Sequence, residues 1–244
     1  MPTPPVPRRG RPPASAGVRA GRLDELLRAA VRVFSRCGYR RTQMADVARE
    51  MGVSSGTVYN YVESKEALFH LLVERGFAAG GPGEVALPVR TPARGATLEL
   101  LRRRLVDEFR VPALETALAR KRVTDARGEL EAVVRDLYRS VADNREGIVL
   151  LERSAVEWPE LAALFYQGMR REYLARIERY LRARIAAGHL RRVPDVTAAA
   201  RLVNETIAWM AMHRHGDVDS TGVDDTVAEA TTVDMLVHAL AKEG

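Results

Sequence analysis

Residues 38–72, GYRRTQMADVAREMGVSSGTVYNYVESKEALFHLL, decide the fold. Thr42 stands where it caps a helix running to about Met51, with Met44, Val47, Ala48 and Met51 on its inner side. Gly52 makes the turn, and Ser54 caps a shorter helix through Thr57 and Val58 to Tyr61. Ser64 opens another, with Ala67, Leu68, Leu71 and Leu72 on one face. A supporting helix, a tight turn and a second helix short enough to lie in a DNA major groove make a helix-turn-helix.

Working outward, Leu23, Leu26, Leu27, Ala30, Val31 and Phe34 recur at spacings of three and four over 22–37, a core-facing stripe that Gly38 ends. Downstream, residues 80–95, GGPGEVALPVRTPARG, hold four Gly and three Pro, too many breakers for a continuous helix. That stretch reads as a flexible loop between a reader at 21–79 and a body at 96–244, with 1–20 a disordered basic arm. Helical patterns resume at Ala96, with interruptions at Pro112, around Gly128, near Trp158-Pro159, at Gly188 and at Pro194. Between Glu160 and Ala187, Leu161, Phe165, Met169, Tyr173, Ile177, Leu181 and Ile185 recur every fourth residue. Helices at 195–213 and 224–241 close the chain. The expected class is all-α: a three-helix DNA-binding domain followed by a bundle of about six helices.

Charge is placed unevenly. Residues 1–75 hold 13 Lys/Arg against 7 Asp/Glu, whereas 76–244 hold 25 of each, so the whole net charge of +6 lies with the helix-turn-helix. A basic module on a neutral body is the electrostatic footprint of a nucleic-acid binder. No stretch approaches ~18 uninterrupted apolar residues, so no membrane span is expected. The first twenty residues lack the apolar core of a secretory signal. The single cysteine, Cys37, excludes an internal disulfide framework and suits the cytoplasm. It sits near a helix C-terminus, which disfavours a thiolate and a redox role. His213 and His215 are two apart and point to different sides of a helix, so no metal site is expected, and no spacing implies a cofactor.

About residues 22–77 resemble the DNA-binding domain of the TetR family of bacterial transcriptional regulators. The features that carry the resemblance are Phe34, Gly38-Tyr39, Thr42, Val47-Ala48, Gly52-Val53-Ser54, Gly56-Thr57-Val58-Tyr59 and Ser64-Lys65-Glu66-Ala67-Leu68. Val62 departs from the phenylalanine frequent at its place. The resemblance implies an all-helical homodimer with three DNA-binding helices, an interface of the last two helices, and a body that usually takes a small molecule.

On that frame, Ser55, Gly56 and Thr57 open the recognition helix, Gly56 permitting close approach while Ser55 and Thr57 bond base edges or phosphate. The alternative is that Ser54 and Ser55 merely cap. Gln43 and Ala45 are second contributors, Tyr59 packs and donates its hydroxyl to phosphate, and Tyr61 is a phosphate ligand. Asn60 reaches a base or faces solvent, and Thr42 reaches phosphate besides capping. Lys65 fits a positively polarised helix start if an anion is nearby, or is an ordinary surface lysine. In the arm, Arg9-Gly10-Arg11-Pro12 looks like the core of an AT-hook for narrow minor grooves, or is part of a solubilising tail.

In the body, Trp158, Phe165, Tyr166, Tyr173, Trp209 and Met210, with Met212, line an apolar pocket for an unidentified effector or are plain core. The resulting expectation is a ligand-responsive regulator, a repressor rather than an activator, binding palindromic double-stranded DNA as a dimer. The alternative is an all-helical docking module or enzyme with an incidental basic third. No nucleophile–base pair, metal spacing or phosphate loop supports the enzyme.

Overall fold

A computed structural model describes residues 16–77, 85–108, 110–220 and 222–242. Arg9, Arg11 and the rest of the AT-hook reading, like residues 80–84 of the loop, lie outside the described residues. Every named element is helical. Four form the reader: α1 (Ala16–Arg41), α2 (Met44–Glu50), α3 (Ser55–Tyr59) and α4 (Lys65–Glu74). Leu26, Leu27, Phe34, Val47, Val58, Val62, Leu68 and Phe69 fill the space between them. Phe34 stands edge-on to Phe69 with ring centroids 5.4 Å apart.

The cap expected at Thr42 falls one residue later. Gln43 has the extended N-cap conformation, and its backbone N–H donates to Asp46 Oδ2 at 2.9 Å. Thr42 is only 1% exposed, and its hydroxyl donates to the Gly38 carbonyl at 2.8 Å. A threonine that bonds back one turn satisfies a carbonyl at a break instead of capping. The caps at Ser54 and Ser64 are present: each side chain accepts from the backbone N–H three residues on, at 3.3 and 3.0 Å.

Glu50 ties α2 to α1 through Arg32 at 2.6 Å and Arg36 at 2.7 Å. The Arg36 hydrogen bond, then that of Arg32, holds its carboxyl below the ordinary glutamate value. A depressed carboxyl pKa contributes stability that is present above the unfolded-state value and lost as pH falls through the folded one. The urea midpoint of Glu50→Gln should therefore lie slightly below that of the parent at neutral pH. The gap should close below about pH 4, where the parent's own carboxylate protonates.

The loop at 80–95 is flexible in expectation, yet its second half is bound to the reader. Val89 N–H donates to Tyr61 O at 2.8 Å, and Glu63 N–H donates to Val89 O at 2.9 Å. Thr91 donates from its N–H to Glu63 Oε2 at 2.9 Å and from its hydroxyl to Ser64 Oγ at 2.8 Å. Proline and glycine exclude a helix, but they do not exclude a strap whose remaining N–H groups find partners.

Beyond the strap come α5 (Ala96–Glu108), α6 (Pro112–Ala119), α7 (Ala126–Asp143) and α8 (Arg145–Ala155). Then follow α9 (Pro159–Ala162), a π-helical stretch (Ala163–Arg170), α10 (Arg171–Ala186), α11 (Val196–Ala211) and α12 (Asp225–Leu240). Pro112 and Pro159 each begin a helix, and Gly188 follows α10 with φ +74°. The break expected around Gly128 lies upstream of it: Asp125 caps α7 by accepting from Gly128 N–H at 2.8 Å, so that glycine sits in the first turn. A four-residue spacing drifts about 40° per step around an α-helix, and the π stretch, with its wider turn, takes up that drift in the middle of 160–187.

Two packing features join these parts. The kink at Gly38 has φ +77° and ψ 163° and rests on α8, where an added Cβ would meet the Arg153 carbonyl oxygen at 2.9 Å. In the body, Arg184 of α10 is buried against Glu129 of α7 at 2.6 Å and donates to the Ala117 carbonyl of α6 at 2.5 Å.

Candidate functional site

The recognition helix α3 buries only Val58. Ser55, Gly56, Tyr59 and Asn60 are exposed, with Tyr59 47% accessible. Thr57 is half-buried, its hydroxyl 3.0 Å from that of Ser54, so one hydroxyl donates to the other and the pair keeps one O–H to donate to an outside group. A Cβ on Gly56 would meet nothing nearer than Ser54 Oγ at 3.9 Å. The fold does not require glycine at this position; the open space above it suits a close-approaching surface. Gln43 and Ala45 are exposed beside it on α2. Tyr61 is half-buried against the core, with its carbonyl held by the strap, so its ring is partly committed to packing.

Two predicted contacts are differently engaged. Thr42 has no exposed hydroxyl to offer a phosphate. Lys65 does not await an anion: its Nζ donates to the carbonyls of Arg40 at 3.1 Å and Thr42 at 3.0 Å and lies 4.8 Å from the centre of the Tyr39 ring. Burial lowers its pKa. It closes the carbonyl end of α1 past the kink, a local role for a cation at a helix C-terminus. The exposed guanidinium of Arg40, without a partner among the described residues, was not singled out from the sequence. Its signal was its place in the basic pair Arg40-Arg41 just before the supporting helix, of which Arg41 is taken up by Glu157 at 2.6 Å.

The junction between reader and body is aromatic. Tyr39 stacks on Trp158 at 4.8 Å, and Phe69 lies 5.8 Å from the same indole. Tyr39 N–H donates to the buried Ser154 Oγ at 3.2 Å. Trp158 is thus a joint residue and does not line the body's cavity.

That cavity lies between α7, α8, the π stretch and α11. Its inner part, about 50 Å³, is lined by Ile148, Glu152, Phe165, Met169, Tyr173 and Met212 among others. A groove of about 360 Å³ on the α5 side shares Met169 and Tyr173 with it. Of the predicted lining, Phe165, Tyr173 and Met212 are there. Tyr166 turns outward, edge-on to Phe165 and under Arg170. Met210 is held by its carbonyl, which accepts from Tyr138 and Arg214 at 3.2 and 2.6 Å. Trp209 is 44% exposed and sits two turns from Leu202, which is 61% exposed. With Val227 and Met235 on α12, also exposed, these residues put apolar surface on the outside of the last two helices.

Two family patterns match this chain. Residues 26–72 match the one described as bacterial regulatory proteins, tetR family, and residues 150–239 match the C-terminal domain of AefR-like transcriptional repressors. The HTH-type transcriptional regulator YfiR of Bacillus subtilis is 44% identical over 59 residues, which are 24% of this chain and 29% of that relative's length. Among solved structures, the ketosteroid transcriptional regulator KstR2 of Mycobacterium tuberculosis has a TM-score of 0.55 at 16% identity, over 91% of this chain and 96% of its own. AibR, solved with isovaleryl coenzyme A and operator DNA, has a TM-score of 0.51 at 18% identity, over 88% and 98%. At such identities the likeness is one of fold.

Proposed function

Because this chain belongs to the TetR family, we propose that it is a homodimeric, ligand-responsive DNA-binding transcriptional regulator, a repressor acting on a palindromic operator in the cytoplasm. The observation that carries this reading is α3, a short helix with one buried residue and an exposed row of Ser55, Gly56, Tyr59 and Asn60. One such helix makes few base contacts, so useful affinity needs two, about one DNA turn (~34 Å) or a multiple apart. The apolar surface on α11 and α12 supports pairing through those helices, and Arg40 joins Gln43, Ser55, Thr57 and Tyr59 as a contact to DNA.

Effector response has a short physical route. Helix α8 contributes Ile148 and Glu152 to the cavity wall, and directly after Glu152 the residues Arg153 and Ser154, with the following Glu157, hold the kinked end of α1. An inner cavity of about 50 Å³ holds little more than a water, so an organic ligand must displace its walls. A shift of α8 changes the spacing of the two readers, and a fixed operator then loses one of them.

Selection of sites from random duplexes at near-physiological salt should enrich an inverted repeat. On that repeat, Gly56→Ala should weaken binding about tenfold or more while leaving thermal stability unchanged or raised, because the added methyl meets DNA and not protein. Enrichment of no repeat, or Gly56→Ala binding as the parent does, would sink the reading.

A further inference from the structure

The inner cavity contains a carboxylate with nothing to bind. Its polar lining consists of Glu152, Arg170, Asn204 and His213. Arg170 donates to Glu205 Oε1 at 2.9 Å, and Asn204 donates to the same oxygen at 3.1 Å. Glu152 makes no hydrogen bond or ion pair among the described residues. The charged and titratable groups around it are His213, Arg170, Glu205 and Tyr166. Burial outweighs them all and pushes its carboxyl above the ordinary value. A half-buried carboxylate in an apolar hollow, without a donor, gains nothing for the fold by being there.

The other charges decide the sign of the missing partner. Arg170 already holds Glu205, which it shares with Arg201, and lies 6.0 Å from the Tyr166 ring centre. The two cations lining the neighbouring groove hold carboxylates as well, Arg102 that of Glu99 at 2.9 Å and Arg176 that of Glu115 at 3.1 Å, which it shares with Arg110. Among the described residues every arginine of either space holds a carboxylate, whereas Glu152 is bonded to no cation or donor, the neighbouring His213 included.

Size decides the rest. The groove of about 360 Å³ falls in the range of small-molecule sites, and the inner cavity of about 50 Å³ does not. Met169 and Tyr173 belong to both. Met169 is an unbranched thioether that re-packs at low cost, and the buried Tyr173 hydroxyl has no partner. π-Helical turns of the kind that carries Met169 occur frequently at functional sites.

We propose that groove and cavity are one effector site for an amphiphilic amine, its apolar body along Leu105, Leu164 and Met169 and its protonated nitrogen on Glu152. The proposal rests on the ligand-responsive reading above and adds the chemical class of the ligand.

The test uses the full chain and three probes of one length: phenylbutylamine, phenylbutanol and phenylbutyrate, titrated calorimetrically at neutral pH. The amine should bind, with the alcohol and the acid at least about tenfold weaker. Glu152→Gln should weaken the amine by a similar factor, Glu152→Asp should restore part of it, and melting temperatures should stay near the parent's. Met169→Trp, which blocks the passage and leaves the carboxylate in place, should also abolish amine binding. Failure of the amine to bind, equal binding of the acid, or an unchanged affinity in Glu152→Gln overturns the proposal. Operator release is measured separately on the DNA-bound protein. Glu152-dependent amine binding without release upholds the amine site and removes the effector reading, whereas operator binding without amine binding removes the amine site alone.

Discussion

Gly38→Ala is expected to lower the unfolding free energy by about 2–4 kcal/mol, which for a chain of this size is a melting-temperature loss of roughly 5–15 °C. Two effects add. The backbone at φ +77° and ψ 163° lies in a region that side chains other than hydrogen essentially never occupy. The new methyl would also stand 2.9 Å from the Arg153 carbonyl oxygen, a backbone atom that no rotamer change moves aside. Gly52→Ala is the control, since it has φ +67° but nothing within 4 Å of the added carbon, and should cost only about 1 kcal/mol. Calorimetric melting of both variants separates the terms. Equal losses would mean that α1 and α8 are not in tight contact at the kink. Relief of the clash moves α1 off α8, so operator affinity should also fall at temperatures where Gly38→Ala remains folded.

Arg184→Met is expected to cost about 3–5 kcal/mol, because it leaves Glu129 buried beside only the half-exposed Arg120, 3.4 Å away, and leaves the Ala117 carbonyl without its donor. The asymmetry between breaking and replacing a buried pair makes the prediction specific. The double variant Arg184→Met, Glu129→Leu should recover most of the loss, since no uncompensated charge remains, whereas independent effects would sum to a larger one. Urea unfolding of the two single variants and the double variant closes the cycle. A double variant less stable than Arg184→Met would show that the charges contribute net stability, and not merely mutual neutralisation.

The reader was legible in the sequence because its signals are local. Ser54, Gly52 and Ser64 each act on backbone within three residues, so cap and turn follow from residue type. Thr42 was misplaced for the same reason: a hydroxyl near a helix start reads as a cap, while its actual acceptor, the Gly38 carbonyl, exists only because α1 runs on past a kink. Lys65 failed likewise, since its carbonyl partners come from a segment more than twenty residues away. In the body, apolar stripes place Phe165 and Tyr173 inward but do not distinguish a cavity wall from a joint or an outer face. Trp158 went to the joint and Trp209 to the surface because tertiary packing, not periodicity, decides which neighbour an indole meets. The strap was missed because breakers report what a segment cannot form and say nothing about what holds it.

The π-helical stretch has a consequence for chain length. Its eight residues advance about as far around the axis as seven residues of α-helix, so the segment holds one surplus residue that the flanking helices do not need. A related chain lacking one residue between 163 and 170 would keep the same phase at the start of α10 and lose the widened turn that carries Phe165 and Met169 to the cavity. A gap of one in that segment of an alignment would then separate relatives that keep this opening from those that have closed it.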